Sequence, residues 1–141
     1  WGVLMGYAAA AGALAPATFC LYAAALFWTV GYDTIYAHQD KEDDALIGVK
    51  SSALKLGART KSAVALFYGA TLVLFAVAGA LAGFSAFYYL ALWPAALHLA
   101  WQWRRLDIDD PLRCLEVFRS NRNAGLLLLA PLLLETGVTL S

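Results

Sequence analysis

Residues 31–56 read Gly-Tyr-Asp-Thr-Ile-Tyr-Ala-His-Gln-Asp-Lys-Glu-Asp-Asp-Ala-Leu-Ile-Gly-Val-Lys-Ser-Ser-Ala-Leu-Lys-Leu, and they interrupt a chain that is otherwise largely apolar. Asp33, Asp40 and Asp44 follow one another at spacings of seven and four residues. On one continuous helix, which advances about 100° per residue, these carboxylates fall within about 40° of one another. A row of carboxylates at the end of an apolar helix predicts a cation site.

The composition around this stretch is that of a membrane protein. Of the 141 residues, 62% are hydrophobic and 14% are charged, whereas soluble domains are about 45–50% apolar and about 25% charged. All ten basic residues lie in two windows, 38–61 and 104–123, although the net charge is zero. Short polar loops between membrane spans produce this pattern. We therefore expect a lipid bilayer around the chain and no nucleic-acid partner.

The apolar segments between the windows predict an all-α, polytopic transmembrane helix bundle. A full span needs about 20 residues, because a helix rises 1.5 Å per residue across a core about 30 Å thick. The predicted spans are about 1–14, 17–37, 62–82, 86–103 and 124–140, the first being the end of a span. This alternation places both charged windows on one side, which the positive-inside rule makes cytoplasmic in a bacterium or matrix-facing in a mitochondrion. Since the chain starts at Trp1 inside an apolar stretch, we expect it to be part of a longer protein.

The spacing of two carboxylates favours a magnesium–phosphate site. Asp40 and Asp44 would lie about 6 Å apart along a helix, a distance that suits two oxygen ligands of one Mg²⁺ whose other positions are filled by water and phosphate. A diphosphate on a lipid chain fits such a position at a membrane surface. Lys50, with Ser51 beside it, could donate to that diphosphate. The alternatives are a solvated acidic loop that caps a helix, and an interfacial lysine at position 50.

The amino-acid sequence of the stretch resembles a motif of a known family. Asp33-Thr34-Ile35-Tyr36-Ala37-His38-Gln39-Asp40-Lys41-Glu42-Asp43-Asp44, continued by Ile47-Gly48-Val49-Lys50-Ser51-Ser52-Ala53-Leu54, resembles the second aspartate-rich motif of the UbiA superfamily of intramembrane prenyltransferases. It is most similar to the 4-hydroxybenzoate polyprenyltransferases of ubiquinone biosynthesis. Residues 118–126, Phe-Arg-Ser-Asn-Arg-Asn-Ala-Gly-Leu, resemble the loop before the last helix in that subfamily.

The resemblance covers residues 1–141 as the C-terminal part of one prenyltransferase domain, with about five spans of a nine-helix fold. It implies an enzyme that transfers a polyprenyl group from polyprenyl diphosphate to the ring of 4-hydroxybenzoate with Mg²⁺ as cofactor. It further implies a bacterial or mitochondrial inner membrane as the location.

The same resemblance assigns roles to single residues. Asp40 and Asp44 would bind the metal, Asp33 and Tyr36 would line the catalytic pocket, and the substrate would be bound by Lys50, Ser51 and Asp33. The family's first Asn-Asp-x-x-Asp motif is absent from the chain. We therefore expect the chain to need the N-terminal half of the same protein and to be inactive alone.

Other functions remain open at this stage. A superfamily member could use a tetrapyrrole, a naphthoate or a homogentisate as acceptor. A cation-coupled transporter half could also carry Asp33, Asp40 and Asp44, although transporters place such residues near the bilayer midplane. A structural subunit would leave the carboxylates unexplained. Elsewhere, we expect His98 to hydrogen-bond between helices and Asn121 and Asn123 to cap the last helix.

Overall fold

The computed structural model describes residues 1–139, except for the side chains of Glu42, Asp43 and residues 136–139. The described part consists of helices joined by short connections, and it contains no strand. The helices are α1 (Gly2–Ala11), α2 (Pro16–Tyr36), α3 (Lys41–Ile47), α4 (Ser52–Leu56), α5 (Thr60–Ala82), α6 (Ala86–Arg105), α7 (Pro111–Arg119) and α8 (Asn121–Thr139), with a 3₁₀ turn at Gly57–Arg59 between α4 and α5.

The long helices end where the uncharged turns of the sequence lie. Gly83 closes α5 with a φ of 72°, in the left-handed region that glycine adopts without strain. Pro16 opens α2 at its first position, where the missing N–H costs nothing because it would have no helical partner. The helices α2, α5, α6 and α8 therefore occupy nearly the predicted segments, and Leu140, at the end of the last predicted segment, lies outside the described residues.

Two helix pairs form the body of the fold. The most extensive contact is between α2 and α5, followed by that between α6 and α8. Small residues allow close approach: a Cβ at Gly31 would come within 2.9 Å of the Tyr68 ring, and one at Gly79 would overlap the Tyr88 ring. The core along these contacts contains Ala24, Ile35, Val64, Tyr68, Phe75, Tyr88, Leu92, Ala95, Leu99, Val117, Ala124 and Leu128.

By length and composition, one helical stretch of the described residues, 52–82, can cross a bilayer. It comprises α4, the 3₁₀ turn and α5. The prediction of five spans therefore stays a prediction, although α2, α6 and α8 are 21, 20 and 19 residues long.

The two charged windows meet at one end of the helix bundle. Lys41 Nζ lies 3.3 Å from Asp109 Oδ1, and Lys61 Nζ donates to the Leu106 carbonyl at 3.3 Å. This end of the bundle is called the charged end below. The buried Glu135 of α8 accepts hydrogen bonds of 2.8 Å from the backbone N–H and the hydroxyl of Ser85, which lies in the connection before α6.

Candidate functional site at the charged end

The aspartate-rich stretch is not one continuous helix. The α2 helix ends at Tyr36 and α3 begins at Lys41. Between them the backbone tightens, because His38 N–H donates to the Ile35 carbonyl at 3.1 Å and Gln39 N–H to the Tyr36 carbonyl at 2.9 Å. The expectation that Asp33, Asp40 and Asp44 share one face of a single helix was therefore wrong.

The break follows from a tertiary contact of His38. Its side chain is 2% exposed, and a hydrogen bond of 2.8 Å joins Nε2 to Oγ1 of the buried Thr60 at the start of α5. The sequence pattern did not predict this anchor. Burial, and secondarily the Lys41 charge, lower the pKa of His38 below its ordinary value. The neutral ring is thus the form that the fold favours.

Asp40 and Asp44 are placed one helical turn apart. Asp40 flanks the start of α3 and is exposed, and Asp44 lies half-buried within α3. Neither carboxylate forms a hydrogen bond or ion pair with another described side chain. Two unpaired carboxylates at this spacing are suitable donors for a hard cation such as Mg²⁺.

Asp33 occupies a separate position on α2. It lies exposed in the last turn of that helix, three residues before Tyr36 and therefore beside it on the helix surface. Among the described residues, no three His, Cys, Asp or Glu side chains are close enough to hold a metal ion together. The metal pair Asp40 and Asp44 stays a prediction, as does the role of Asp33.

An aromatic row leads from the interior of the bundle to Tyr36. Trp28, Tyr32 and Tyr36 recur every four residues on α2. The ring of Tyr32 lies 5.4 Å from that of Trp28 and 5.9 Å from that of Phe118 on α7. Tyr36 lies 4.6 Å from the same Phe118 ring, centroid to centroid. The sequence reasoning missed Phe118 as a site residue, although the four-residue spacing of the other three could have indicated the row.

The inner end of the aromatic row is fixed by a hydrogen bond. Trp28 Nε1 donates to Asn121 Oδ1 at 3.0 Å, and Asn121 Nδ2 donates to the Phe118 carbonyl at 3.1 Å. Asn121 therefore caps the end of α7 rather than α8. Gly125 lies against the same indole, since a Cβ there would come within 2.9 Å of the Trp28 ring.

Lys50 and Ser51 lie in the connection between α3 and α4. Lys50 is exposed and forms no hydrogen bond or ion pair with another described residue. The Ser51 hydroxyl oxygen accepts a hydrogen bond of 3.4 Å from Leu54 N–H as the N-cap of α4. Its O–H hydrogen stays available to a ligand. Their assignment to substrate binding stays a prediction.

The second charged window is held by its own contacts. Cys114 donates from Sγ to the Asp107 carbonyl at 3.1 Å, and burial raises the pKa of its thiol to about 11. His98 Nε2 lies 3.2 Å from the carbonyl oxygen of Ser120, so the hydrogen bond predicted between helices is made to the connection between α7 and α8. This framework fixes Phe118 against the aromatic row.

Comparison with known proteins adds a family match. A family model described as the UbiA prenyltransferase family matches residues 1–128. A mitochondrial 4-hydroxybenzoate polyprenyltransferase of Dictyostelium discoideum is 44% identical over 131 residues, which are 89% of this chain and 27% of that protein. A 4-hydroxybenzoate octaprenyltransferase of Azotobacter vinelandii is 40% identical over 98% of this chain and 47% of its own length. The human mitochondrial 4-hydroxybenzoate polyprenyltransferase is 44% identical over 90% of this chain and 34% of its own length.

The chain thus spans between about a quarter and about a half of the length of these curated relatives. No solved structure matches it.

Proposed function

The chain belongs to the UbiA prenyltransferase family, and we propose that the full-length protein transfers a polyprenyl group from polyprenyl diphosphate to the ring of 4-hydroxybenzoate, a step of ubiquinone biosynthesis. The observation that carries this proposal is the match of 89–98% of the chain, at 40–44% identity, to proteins named for that reaction. The relatives include bacterial and mitochondrial proteins. The proposed location is accordingly an inner membrane, with the charged end on the cytoplasmic or matrix side.

The proposed membrane arrangement uses the long helices of the bundle. We place α2, α5, α6 and α8 across the bilayer, with α1 as the end of a fifth span of a nine-helix domain. Their lengths of 19 to 23 residues suit a hydrocarbon core about 30 Å thick. The charged end then lies at one membrane surface, where a diphosphate head can stay in water while its prenyl tail lies among the helices.

Asp40 and Asp44 are the proposed magnesium ligands. Neither carboxylate has a hydrogen-bond or ion-pair partner among the described side chains, and the two lie one turn apart at the start of α3. When bound, Mg²⁺ would neutralise charge on the departing diphosphate. As this chain supplies two carboxylates, the remaining protein ligands are proposed to come from the rest of the protein.

Lys50 and Ser51 are proposed to hold the diphosphate. The exposed ammonium of Lys50 supplies a positive charge with three donors, and the Ser51 hydroxyl supplies one further donor. Both lie in the connection that follows the metal ligands along the chain, so one short segment serves metal and phosphate together.

Asp33 and Tyr36 are proposed to line the reaction pocket beside the aromatic row. An allylic cation formed when the diphosphate leaves must be shielded from water, and aromatic faces stabilise nearby positive charge. The rings of Tyr32, Tyr36 and Phe118 supply such faces. The Asp33 carboxylate would orient the acceptor or take up the ring proton.

The test uses the full-length protein in membranes with polyprenyl diphosphate, radiolabelled 4-hydroxybenzoate and Mg²⁺. Asp40→Asn and Asp44→Asn should each lower prenylation by at least about 100-fold. Asp109→Asn is the matched control, because it removes an exposed carboxylate from the same end of the bundle, and it should stay near wild type.

The outcomes separate the parts of the proposal. Prenylation that survives Asp40→Asn and Asp44→Asn would overturn the metal assignment. Prenylation of a naphthoate or homogentisate in preference to 4-hydroxybenzoate would overturn the acceptor. Cation flux without any prenylated product would replace the enzyme with a transporter.

A further inference from the structure

A basic pocket opens at the charged end, beside the second charged window. It has a volume of about 560 Å³ and is lined by the basic side chains of Lys61, Arg104, Arg105 and Arg113, with Asp107 as the lining carboxylate. None of these residues belongs to the proposed prenyl-transfer site. Four cations around one cavity predict an anionic ligand.

The contacts of these cations leave the pocket positively charged. Arg105 and Arg113 each form an ion pair with the Glu116 carboxylate, with nitrogen–oxygen distances of 3.1 Å. Lys61 is held over the Trp103 ring at 5.6 Å. Arg104 forms no hydrogen bond or ion pair with another described residue. The pocket thus holds positioned donors together with one uncompensated guanidinium, an arrangement suited to a phosphate group.

An apolar groove between α5 and α6 begins beside this pocket, where Trp103, which lines the groove, packs against Lys61. Two apolar cavities of about 190 and 290 Å³ lie along the two helices, and Leu72 and Ala96 line both. The groove runs from Trp103, next to the basic pocket, to Tyr89. It is open because small residues face it, among them Ala65, Gly69, Ala76, Ala96 and Ala100.

The length of the groove matches one acyl chain. From Ala65 to Ala76, α5 rises by about 16 Å, about half of the hydrocarbon core of a bilayer. One acyl chain of a lipid in a single leaflet spans about that length. The exposed indole of Trp103 lies at the head of the groove, as expected of an aromatic side chain at a membrane surface.

We propose that the basic pocket and the groove together bind an anionic phospholipid, with its phosphate among Lys61, Arg104, Arg105 and Arg113 and one acyl chain between α5 and α6. Basic pockets between membrane helices on the cytoplasmic or matrix side are known sites for anionic lipid headgroups. The bound lipid would fill the gap between two consecutive helices and tie α5 to the second charged window.

The pocket's chemistry favours a phospholipid over the prenyl diphosphate substrate. Asp107, the lining carboxylate, already accepts a hydrogen bond from Asp109 N–H at 3.2 Å, so the pocket lacks the pair of open carboxylates that a magnesium diphosphate needs. Asp40 and Asp44 do not line it. Direct contact between guanidinium groups and a phosphodiester requires no metal.

The first experiment measures lipid binding to the full-length protein. Native mass spectrometry follows the retention of phosphatidylglycerol and of phosphatidylcholine on detergent-solubilised protein. Phosphatidylglycerol should bind preferentially, and Arg104→Gln should weaken it about fivefold. Arg119→Gln, which removes an exposed arginine outside the pocket at the same end, should leave retention unchanged.

The second experiment tests the groove. No atom lies within 4 Å of a Cβ built at Gly69, so Gly69→Leu fills the groove without disturbing the core. It should weaken binding of dioleoyl phosphatidylglycerol at least about tenfold and leave binding of the short-chain dihexanoyl form unchanged. Gly6→Leu on α1, where a Cβ also meets nothing, is the matched control.

Three results would overturn the inference. One is equal retention of the two lipids by wild type. Another is that Gly69→Leu weakens binding of both the dioleoyl and the dihexanoyl form of phosphatidylglycerol, or of neither. The third is displacement of phosphatidylglycerol by stoichiometric polyprenyl diphosphate together with a raised KM for that substrate in Arg104→Gln, which would make the pocket part of the substrate site. Inorganic phosphate should not displace the lipid, since it lacks the chain.

Discussion

The indole of Trp28 on α2 and the amide of Asn121 at the start of α8 are joined by a 3.0 Å hydrogen bond. The two residues are 93 positions apart in the chain. Asn121 is buried, and its Nδ2 group donates to the end of α7. One side-chain amide therefore connects three helices next to the aromatic row of the candidate site.

Loss of this hydrogen bond should destabilise the fold measurably. Trp28→Phe removes the indole donor and leaves the buried Asn121 Oδ1 without it, so we expect the free energy of unfolding to fall by about 1–2 kcal/mol. Titration of the full-length protein with SDS in mixed micelles measures this change. Trp93→Phe, at a position 63% exposed, is the control, and equal losses in the two variants would show that the hydrogen bond contributes nothing.

Two glycines of α5 should respond in opposite directions to the same substitution. A Cβ at Gly79 would overlap the Tyr88 ring, which cannot move freely because its hydroxyl donates to the Phe75 carbonyl at 2.9 Å. Gly79→Ala should therefore cost about 1–3 kcal/mol through overpacking. Gly69→Ala should instead stabilise the helix by about 0.4–1 kcal/mol, because its Cβ meets no atom. The same unfolding titration compares the pair, and a shared sign would contradict the close helix approach at Gly79.

The buried His38 should make stability depend on pH in the acidic range. Its folded pKa is lowered from 6.5 by burial and by Lys41, so the unfolded chain binds the proton more readily. The stabilisation is complete above about pH 6.5 and declines as the pH falls from there towards the lowered folded pKa. His38→Gln should lose this slope between pH 7 and 5.

Comparison of wild type with His38→Gln isolates the effect, because every other titratable group is the same in both proteins. The measurement is the unfolding midpoint at each pH. A difference between the two proteins that stays constant over the whole range would rule out the proposed protonation of His38.

Cys114 should be inert to thiol reagents in the folded protein. Its thiol is buried, donates to the Asp107 carbonyl and has a pKa raised to about 11, so the reactive thiolate is scarce at neutral pH. In a Cys20→Ala background, maleimide should modify Cys114 at least about 100-fold more slowly before unfolding than after it. A Ser52→Cys, Cys114→Ala variant in that background, with its single thiol at an exposed position of the same end, should be modified rapidly in the folded protein.

The long helices could be predicted because local chemistry determines where they stop. Gly83 and Pro16 end or begin a helix by backbone geometry alone, and both are visible in the sequence. The break after Tyr36 could not be predicted in this way, since the residues there are compatible with a helix. It depends on the contact of His38 with Thr60, which lies 22 residues later in the chain.

The site was predictable in its residue types and less so in its geometry. The spacing of Asp40 and Asp44 within α3 survives the break, because both residues lie on the same side of it. The alignment of Asp33 with them does not survive. Phe118 joins the aromatic row through the packing of α7 against α2, a contact that no local pattern in the stretch 31–56 contains.

The close fit of Gly125 against Trp28 also limits how this position can change in evolution. Every amino acid that a single base change can introduce at a glycine codon carries a Cβ, and a Cβ here would come within 2.9 Å of the indole ring. The side chain introduced by any missense mutation of this codon would therefore crowd the Trp28 indole, which is hydrogen-bonded to Asn121. A change in the last helix would in this way reach the aromatic row through one side chain, without altering any residue of the aspartate-rich stretch.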